Sequence, residues 1–487
     1  MTMSKRVIWT ILVMSVVVMY AATAFAAGPG DIQWNDPMPM AERIAAQGPV
    51  EEITADYDDY GVELSKRAHN KAMLTGYVLP DGWKDAIGDV QELVLTNSGG
   101  LAHDPATVIN AKIFEKLTGV HLNIIEMKDP LLWPKTLAVS MAKSTDVDIY
   151  YATRSMLEIP HLSAAGWILN VDVLWPEDVQ ALFPEKLLGA IQGPDGSFYG
   201  SPLALWNLFL FYRPSWLEQA GVEVPETWQE LVVATKKVGD WAAENLGPGN
   251  AGMVYPAGDP DLLHHIWAMT TFSQGKRIVN EEGKVVLDPL AWQMITDLWL
   301  KGGMSQESVE YLWSTAPEVF AKGKAGFTIT GGVYINMFAD PEFGTGVQDD
   351  WGVTLVPAWE GVGEPGMAVA GNDSWMINPN ISDEKKAAAM LWLDFERSYQ
   401  AQFNELYLEG NESEVLGVYD HPKVQEDVSY PDLRIEAVQK QIGESYPPGM
   451  MDILSVFKEY LHRVALGMED DPEAARQLIQ EEIDMMQ

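Results

Sequence analysis

The sequence has 487 residues, of which 47% are hydrophobic and 21% are charged. It can therefore fill hydrophobic cores, but it is too long for a single core, and two or more lobes are expected. Its 70 acidic residues against 32 Lys and Arg give a net charge of −38, so its surface repels nucleic-acid phosphates. The absence of cysteine excludes disulfides, thiolate catalysis, thiolate metal sites and lipid attachment through cysteine.

The first 27 residues have the layout of a secretory signal peptide. Lys5 and Arg6 precede an apolar run over residues 7–20, and the small residues after it end in an A-x-A sequence at 24–26. A retained membrane anchor is the alternative, because residues 7–27 just suffice to span a bilayer core of about 30 Å. We expect a signal peptide over residues 1–26, cleavage, and a soluble periplasmic protein, with an extracellular protein as the second choice.

Residues 27–89 form an acidic N-terminal extension, in which residues 53–79 are long enough for one or two helices. From residue 90 onwards strands and helices alternate. Strands are predicted at 90–96, 120–127 and 147–151, and helices at 106–117 and 134–143. This βαβαβ order is typical of an α/β fold with a mostly parallel sheet and ligands at the carboxyl ends of its strands.

The pattern continues through the second half of the chain. An aromatic stretch at 198–212 follows a turn, and Thr227 with Glu230 forms a capping box that predicts a helix over 227–241. A buried strand is predicted at 325–330, and further helices are predicted at 290–300, 317–322, 383–397 and 471–485.

Six segments, in the same order along the chain, resemble the extracellular solute-binding proteins of sugar-uptake ABC transporters, a family that includes maltodextrin-binding proteins. The most specific is GSFYGSPLALWNLFLFYRPSWLEQAGVEVPETWQEL at 196–231, which resembles the hinge crossing of that family. The others are AKIFEKLTGVHLNI (111–124), DVDIYYA (146–152), FAKGKAGFTITGGVYI (320–335), WGVTLVPAW (351–359) and GNDSWMINPNISDEKKAAAMLWLDF (371–395). The N-terminal extension is similar to the longer N-termini of polyol-type members, including glycerol receptors.

The resemblance implies a two-lobed periplasmic binding protein of type II, with hinge strands and a ligand cleft between α/β lobes. We expect lobe 1 to comprise residues 90–205 and 325–378, and lobe 2 to comprise residues 206–324 and 379–487. The implied function is a monomeric receptor of an ABC importer, without a cofactor, that closes on a sugar or polyol and delivers it to an inner-membrane permease. A secreted carbohydrate-active enzyme is the alternative.

A sugar or polyol has an apolar C–H face and a rim of hydroxyls, so its site needs flat aromatic rings and planar polar groups. Together with the resemblance, this chemistry selects a set of candidate ligand contacts near strand ends and the hinge. They are Asn97, Ser98, Tyr151, Thr153, Arg154, Trp206, Asn207, Asp259, Asp261, Gly332, Tyr334, Asn372, Asp373 and Trp375. In the matching turn of the family a tryptophan is expected, and Tyr334 either replaces it or is shifted from its position.

Structural roles are open for several of these residues. Asn97 and Ser98 also suit a plain turn, and Arg154 also suits a pair with a surface acid. Asn207 needs a partner at the hinge, which is either the ligand or a backbone carbonyl. The aspartates on either side of Pro260 also suit the N-cap of a helix.

The sequence carries no motif for catalysis or for a metal. It lacks H-E-x-x-H, the phosphate-binding G-x-x-x-x-G-K-[ST] and G-x-S-x-G. The G-x-G-x-x-G match at 361–366 contains Pro365 and precedes no helix, so we interpret it as a loop. His264 and His265 are adjacent, and adjacent residues diverge on a helix, so no metal site is expected. The sequence does not exclude a pair of carboxylates for glycoside hydrolysis, because 70 acidic residues provide many accidental pairs.

Overall fold

The computed structural model describes residues 31–47, 51–53, 72–74, 76–98, 105–127, 129–369 and 371–487. The predicted signal peptide lies outside these residues. Within the described ranges, no helix combines the length and the apolar character that a membrane span requires.

Helices and strands alternate along most of the described chain. Up to the first crossing between sheets they are α1 (Met40–Ala45), β1 (Glu51–Ile53), β2 (Ala72–Leu74), α2 (Trp83–Ile87), β3 (Glu92–Ser98), α3 (Pro105–Thr118), β4 (His121–Met127), α4 (Asp129–Ala142), β5 (Ile149–Ala152), α5 (Ser155–Ala164), α6 (Glu177–Gln180) and β6 (Ser201–Trp206). After it they are β7 (Leu208–Tyr212), α7 (Pro214–Ala220), α8 (Trp228–Asn245), β8 (Ala251–Val254), α9 (Pro260–Phe272), α10 (Pro289–Leu300), α11 (Thr315–Ala321), β9 (Ala325–Gly331), α12 (Val333–Ala339), β10 (Gly352–Leu355), β11 (Gly371–Ile377), α13 (Asp383–Glu396), α14 (Tyr399–Asn404), α15 (Pro422–Asp427), α16 (Pro431–Lys440), α17 (Met450–Ala465) and α18 (Pro472–Met486). Shorter 3₁₀ turns and one π-helical turn, Glu405–Glu409, complete the described chain.

The first sheet has five strands in the order β4-β3-β5-β11-β6. Strands β3, β4 and β5 are parallel, which confirms the predicted βαβαβ unit. Strand β11 runs antiparallel to its neighbours β5 and β6. Its first residue, Gly371, therefore lies beside Trp206, the last residue of β6. The polar residues at the start of β11 consequently meet the carboxyl ends of the other strands.

The second sheet has four strands in the order β10-β7-β9-β8. Helix α8 packs on β8 and β9. Helices α9, α10, α17 and α18 pack together as a helical layer. Within this helical layer, Trp267 stacks on Phe457 with ring centroids 4.9 Å apart, and Trp292 meets Phe457 edge-on. The capping box predicted at Thr227 is present and begins α8.

The two sheets define the two lobes, and the chain crosses between them. The first crossing is Asn207, the single residue between β6 and β7, and the second leads from β10 to β11. A third passes Glu412, whose carbonyl accepts a hydrogen bond from the Leu205 backbone N–H, 3.1 Å away. The Glu412 carboxylate pairs with Arg434, which also donates to the Gly332 carbonyl next to β9. These contacts form the hinge.

The predicted lobe boundaries are wrong in two places. Strands β9 and β10 flank β7 in the second sheet, whereas the sequence-based boundaries assign residues 325–355 to lobe 1. Helix α13 packs on α2, β6 and β11, so it lies with the first sheet and not with lobe 2. A buried apolar pattern predicts that a segment is covered, but it does not say which sheet covers it.

The N-terminal extension is tied to the first lobe by a buried charge cluster. Arg43 of α1 pairs with Asp394 of α13, and Arg397 donates to the same carboxylate at 2.6 Å. Tyr77 donates a further hydrogen bond to Asp394. Burial alone raises the pKa of Asp394, but the two guanidinium groups hold it below its ordinary value. Removing one partner from such a cluster costs about 3–5 kcal/mol, because the remaining charges stay buried.

The described part of the extension contains a strand as well as helices. One or two helices were expected between residues 53 and 79; within that stretch, Ala72–Leu74 form a strand paired antiparallel with Glu51–Ile53. Residues 54–71 lie outside the described part. Among the described residues of the extension, the helices are α1 and α2, on either side of the predicted stretch.

Candidate functional site

A cavity lies between the two sheets, at the ends of their strands. The cavity has a water-accessible volume of about 60 Å³. Its lining comes from both lobes: Ser98, Tyr151, Thr153, Arg154, Trp206, Gly371 and Asp373 from the first, and Leu208, Asp259, Asp261, Leu262, His265, Trp313, Ile329, Thr330 and Gly331 from the second. It is an interdomain cleft at the position where open α/β sheets bind ligands.

The wall of the first lobe is organised around Asp373, near the start of β11. Its Oδ2 accepts hydrogen bonds from the Tyr151 hydroxyl at 2.5 Å and from the Trp206 indole Nε1 at 2.8 Å. The three residues come from β11, β5 and β6, which are neighbours in the sheet. Because Asp373 is only 3% exposed, these two donors hold its carboxylate and both rings in one arrangement.

The wall of the second lobe is the first turns of α9. The Asp259 side chain caps the helix by accepting from the Asp261 backbone N–H at 3.0 Å. Asp261 Oδ2 lies 3.9 Å from His265 Nε2, one helical turn further on, and 3.9 Å from Arg154 Nε of the first lobe. The Arg154–Asp261 pair therefore spans the cleft. Burial lowers the pKa of His265 to about 3, so its imidazole is neutral at ordinary pH.

Aromatic rings close the cavity between the lobes. Trp206 at the end of β6 meets Trp313 of the second lobe edge-on, with ring centroids 5.2 Å apart. Trp313 in turn packs against Tyr334 at 5.6 Å. Leu208 and Ile329 add apolar surface to the lining. The cavity thus offers flat aromatic surface next to carboxylates and one guanidinium.

The charges of the lining restrict what the cavity can hold. It contains the carboxylates of Asp259, Asp261 and Asp373 and one guanidinium, that of Arg154, beside a neutral imidazole. This excess of negative charge disfavours anions, and the carboxylates accept hydrogen bonds from hydroxyl groups.

The structure brings more than half of the predicted site residues to this cavity. They are Ser98, Tyr151, Thr153, Arg154, Trp206, Asp259, Asp261 and Asp373. The alternative roles weighed for Asp259 and Arg154 are also present, as helix cap and as partner of an acid. Whether these residues contact a ligand stays a prediction.

Three of the remaining candidates belong to the hinge or to a strand. Asn97 lies within β3, which extends beyond its predicted end, and its Oδ1 accepts from the Ser98 backbone N–H at 2.9 Å. Asn207 accepts from the Gln441 side chain at the first crossing. Gly332 faces the Glu412 carboxylate, which leaves no room for a side chain. None of the three lines the cavity described above.

Two predicted aromatic contacts are buried away from the cavity. Tyr334 lies behind Trp313, between Trp313 and Phe338. Trp375 lies two residues further along β11 than Asp373, and its indole donates to Glu396 of α13 at 3.1 Å. Both are 1% exposed or less, so they support the lobes from within. The Asn372 backbone pairs with Leu205, and its side chain lies outside the described part.

Several lining residues were missed by the sequence analysis: Leu208, Leu262, His265, Trp313, Ile329, Thr330, Gly331 and Gly371. His265 had a signal, because it lies four residues after Asp261 at the start of a predictable helix. No metal site was expected from His264 and His265, because the rings of adjacent residues diverge on a helix; that prediction did not include Asp261. One donor atom from each histidine and one from Asp261 all lie within 4.8 Å of one another.

Solved structures of similar fold support the two-lobed architecture. The solute-binding protein of an ABC transporter from Agrobacterium radiobacter K84, in complex with ribitol, is 21% identical with a TM-score of 0.67, over 82% of this chain and 100% of that one. The maltose-bound MalE3 of T. maritima is 20% identical with a TM-score of 0.69, over 81% and 100%. A solute-binding protein from Thermotoga lettingae TMO, bound with α-D-tagatose, is 16% identical with a TM-score of 0.67, over 82% and 99%.

The sequence comparisons agree with this fold. The putative ABC transporter periplasmic-binding protein YcjN of Escherichia coli (strain K12) is 29% identical over 119 residues. That match spans 24% of this chain and 26% of the relative, so it covers about a quarter of each. The family model described as bacterial extracellular solute-binding protein matches residues 110–431. The chain therefore belongs to the bacterial extracellular solute-binding protein family.

Proposed function

We propose that this chain is the substrate receptor of an ABC importer and that it binds a small uncharged sugar or polyol in the cavity between its lobes. The observation that carries the proposal is the first-lobe wall, in which Asp373 holds Tyr151 and Trp206 beside Trp313 of the other lobe. A carboxylate next to aromatic faces suits a molecule with hydroxyl donors on one side and C–H groups on the other.

The size of the cavity favours a short solute. Its accessible volume of about 60 Å³ is small. A polyol or a single sugar ring suits this space better than a chain of several rings. The ribitol and α-D-tagatose bound by similar proteins are of this small kind, whereas the maltose bound by another is larger.

Hinge closure is the proposed mechanism. A solute that contacts both walls stabilises the closed arrangement, because contacts to the second wall exist only when the lobes approach. The Arg154–Asp261 pair, which spans the cleft at 3.9 Å, joins the walls at the same place. We further propose that the closed protein acts as a monomer and docks on the permease of an inner-membrane ABC importer.

The proposed location is the periplasm, reached through a signal peptide that is cleaved after residue 26. The family description, bacterial extracellular solute-binding protein, agrees with export. We propose binding without catalysis, since the E. coli and A. radiobacter relatives are both named as binding proteins.

The test is a ligand panel read by three signals at once. Purified protein is titrated with glycerol, ribitol, pentoses, hexoses and maltose, with gluconate and glycerol phosphate as anionic counterparts. Tryptophan fluorescence follows binding, the thermal midpoint follows stabilisation, and chromatography of the mixture follows the integrity of the solute.

We expect saturable binding of at least one uncharged solute, a raised midpoint, recovery of the solute intact, and no response to the anions. Conversion of a solute into product contradicts the receptor function and favours the carbohydrate-active enzyme. Tight binding of an anion contradicts the argument from the charges of the lining.

A further inference from the structure

The start of α9 gathers three metal-binding side chains in one place. Asp261, His264 and His265 occupy positions i, i+3 and i+4, so Asp261 is one helical turn below both histidines. One donor atom from each lies within 4.8 Å of the other two. We propose that these three residues bind a divalent transition-metal ion such as Zn²⁺ at the wall of the cavity.

The burial of the histidines is the second observation that indicates a ligand. His264 is fully buried, and among the described residues neither of its ring nitrogens has a hydrogen-bond partner. The Nδ1 of His265, a residue 3% exposed, is likewise without one in the described part of the chain. Buried polar atoms of this kind are rare in folded proteins, because each loses its hydrogen bonds to water. Coordination of an ion supplies a partner for one nitrogen of each ring.

The donor types match a zinc-like ion. Two neutral imidazoles and a carboxylate are ligands that Zn²⁺ and its neighbours in the first transition series take, with bonds of about 2.0–2.2 Å. Three protein ligands leave a fourth tetrahedral position open, as in sites that bind a water or a substrate. Asp261 and His265 line the cavity and His264 does not, so the open position faces the cavity.

Two features oppose a cation here, and two offset them. The positive end of the α9 dipole and Arg154, 3.9 Å from Asp261, repel it. The carboxylates of Asp259 at the N-cap and Asp261 in the first turn carry the opposite charge. The donor atoms must also approach by roughly 1 Å to reach tetrahedral spacing around one ion. Rotation of three side chains on a fixed helix achieves this, since the helix already aligns their Cβ atoms.

The test uses Zn²⁺ alone, so its result does not depend on which solute the protein takes. Protein stripped with EDTA is titrated with ZnCl₂ by calorimetry, and bound metal is counted by mass spectrometry after gel filtration. We expect one equivalent of Zn²⁺ per chain and a raised thermal midpoint. Absence of saturable binding at one equivalent overturns the proposal.

Variants assign the binding to these residues. Asp261→Asn and His265→Gln keep the size of the side chains, and each is expected to weaken Zn²⁺ binding at least tenfold. The matched control is His121→Gln, because the His121 side chain is 43% exposed, lies beside Glu115 and does not line the cavity. Circular dichroism confirms that each variant is folded. Equal affinity in all variants, or a loss confined to His121→Gln, contradicts the site.

Discussion

The two walls of the cavity are built differently. In the first lobe, strand ends meet side by side, and Asp373 is held by direct hydrogen bonds of 2.5 and 2.8 Å. In the second lobe, a helix start presents Asp261 at 3.9 Å from both Arg154 and His265. We propose that the first wall is organised before a solute arrives and that the Arg154–Asp261 contact of the second wall adjusts as the lobes close.

Because of this difference, we expect the two walls to contribute unequally to the affinity for the solute. A preformed wall loses little conformational entropy when the solute binds, so contacts to it contribute most to affinity. In the proposed mechanism, contacts to the second wall contribute to closure and hence to recognition by a permease. Variants on the two walls should therefore separate affinity from closure, and the following predictions test that separation.

Asp373→Ala is expected to have the largest effect. It removes a carboxylate and leaves the Tyr151 hydroxyl and the Trp206 indole without their acceptor. Hydrogen bonds to charged groups contribute about 1.5–3 kcal/mol, so solute affinity should fall by up to about 150-fold. Calorimetry with the solute selected by the panel measures the fall. Asp195→Ala is the matched control, because Asp195 accepts from Tyr199 at 2.8 Å on the surface and should leave affinity unchanged.

Trp206→Ala is expected to weaken solute binding by about 50-fold, which corresponds to about 2.3 kcal/mol. The indole belongs to the first wall and also contacts Trp313 of the second lobe, so its loss affects both. The fold should persist, which a cooperative thermal transition will verify. An affinity equal to that of the wild type removes Trp206 from the site.

The hinge between the walls should give the protein a pH-dependent stability. Burial raises the pKa of Glu412 to about 7, although Arg434 lowers it. The folded protein then binds a proton that the unfolded chain releases near pH 4.5, so the free energy of unfolding falls as pH rises from 4.5 to 7. Between pH 5.5 and 7 we expect a fall of about 1.6 kcal/mol. Urea unfolding of wild type and Glu412→Gln should show this slope only in the wild type, and parallel slopes contradict it.

The smallest effect is expected for Tyr334→Phe. Tyr334 was selected as a ligand contact by its position in the turn, but its ring lies behind Trp313 and is 1% exposed. Solute affinity should change less than about twofold, because the aromatic packing is kept. A tenfold loss in the same calorimetric assay would show that Tyr334 reaches the solute.

The sequence predicted the first wall better than the second for a physical reason. Residues at the carboxyl ends of parallel strands converge whatever the helices do, so Ser98, Tyr151 and Arg154 were found from their places after strands. Trp313 and Ile329 reach the cavity through the packing of the second sheet, which leaves no local signal. The same limit explains the misplaced boundaries, since strand β9 has the same buried pattern in either sheet.

Helix periodicity at α9 could have identified His265 as a lining residue. Its capped start was anticipated at Asp259, and the i, i+4 spacing brings His265 beside Asp261 on the same helix. Trp375 shows the opposite error. It lies on the same strand as Asp373, but two residues further from the cavity, where its indole contacts Glu396 of α13. Depth along a strand depends on where the sheet ends, and the sequence predicts those ends only to within a few residues.

The most direct measurement is a crystal structure of the protein with the tightest solute of the panel. We expect density for one solute in the cavity, with a hydroxyl within about 3 Å of the Asp373 carboxylate and carbon atoms against Trp206 and Trp313. A second hydroxyl should contact the start of α9, so that the solute bridges both walls. A solute bound outside this cavity, or in contact with one lobe only, would contradict the account.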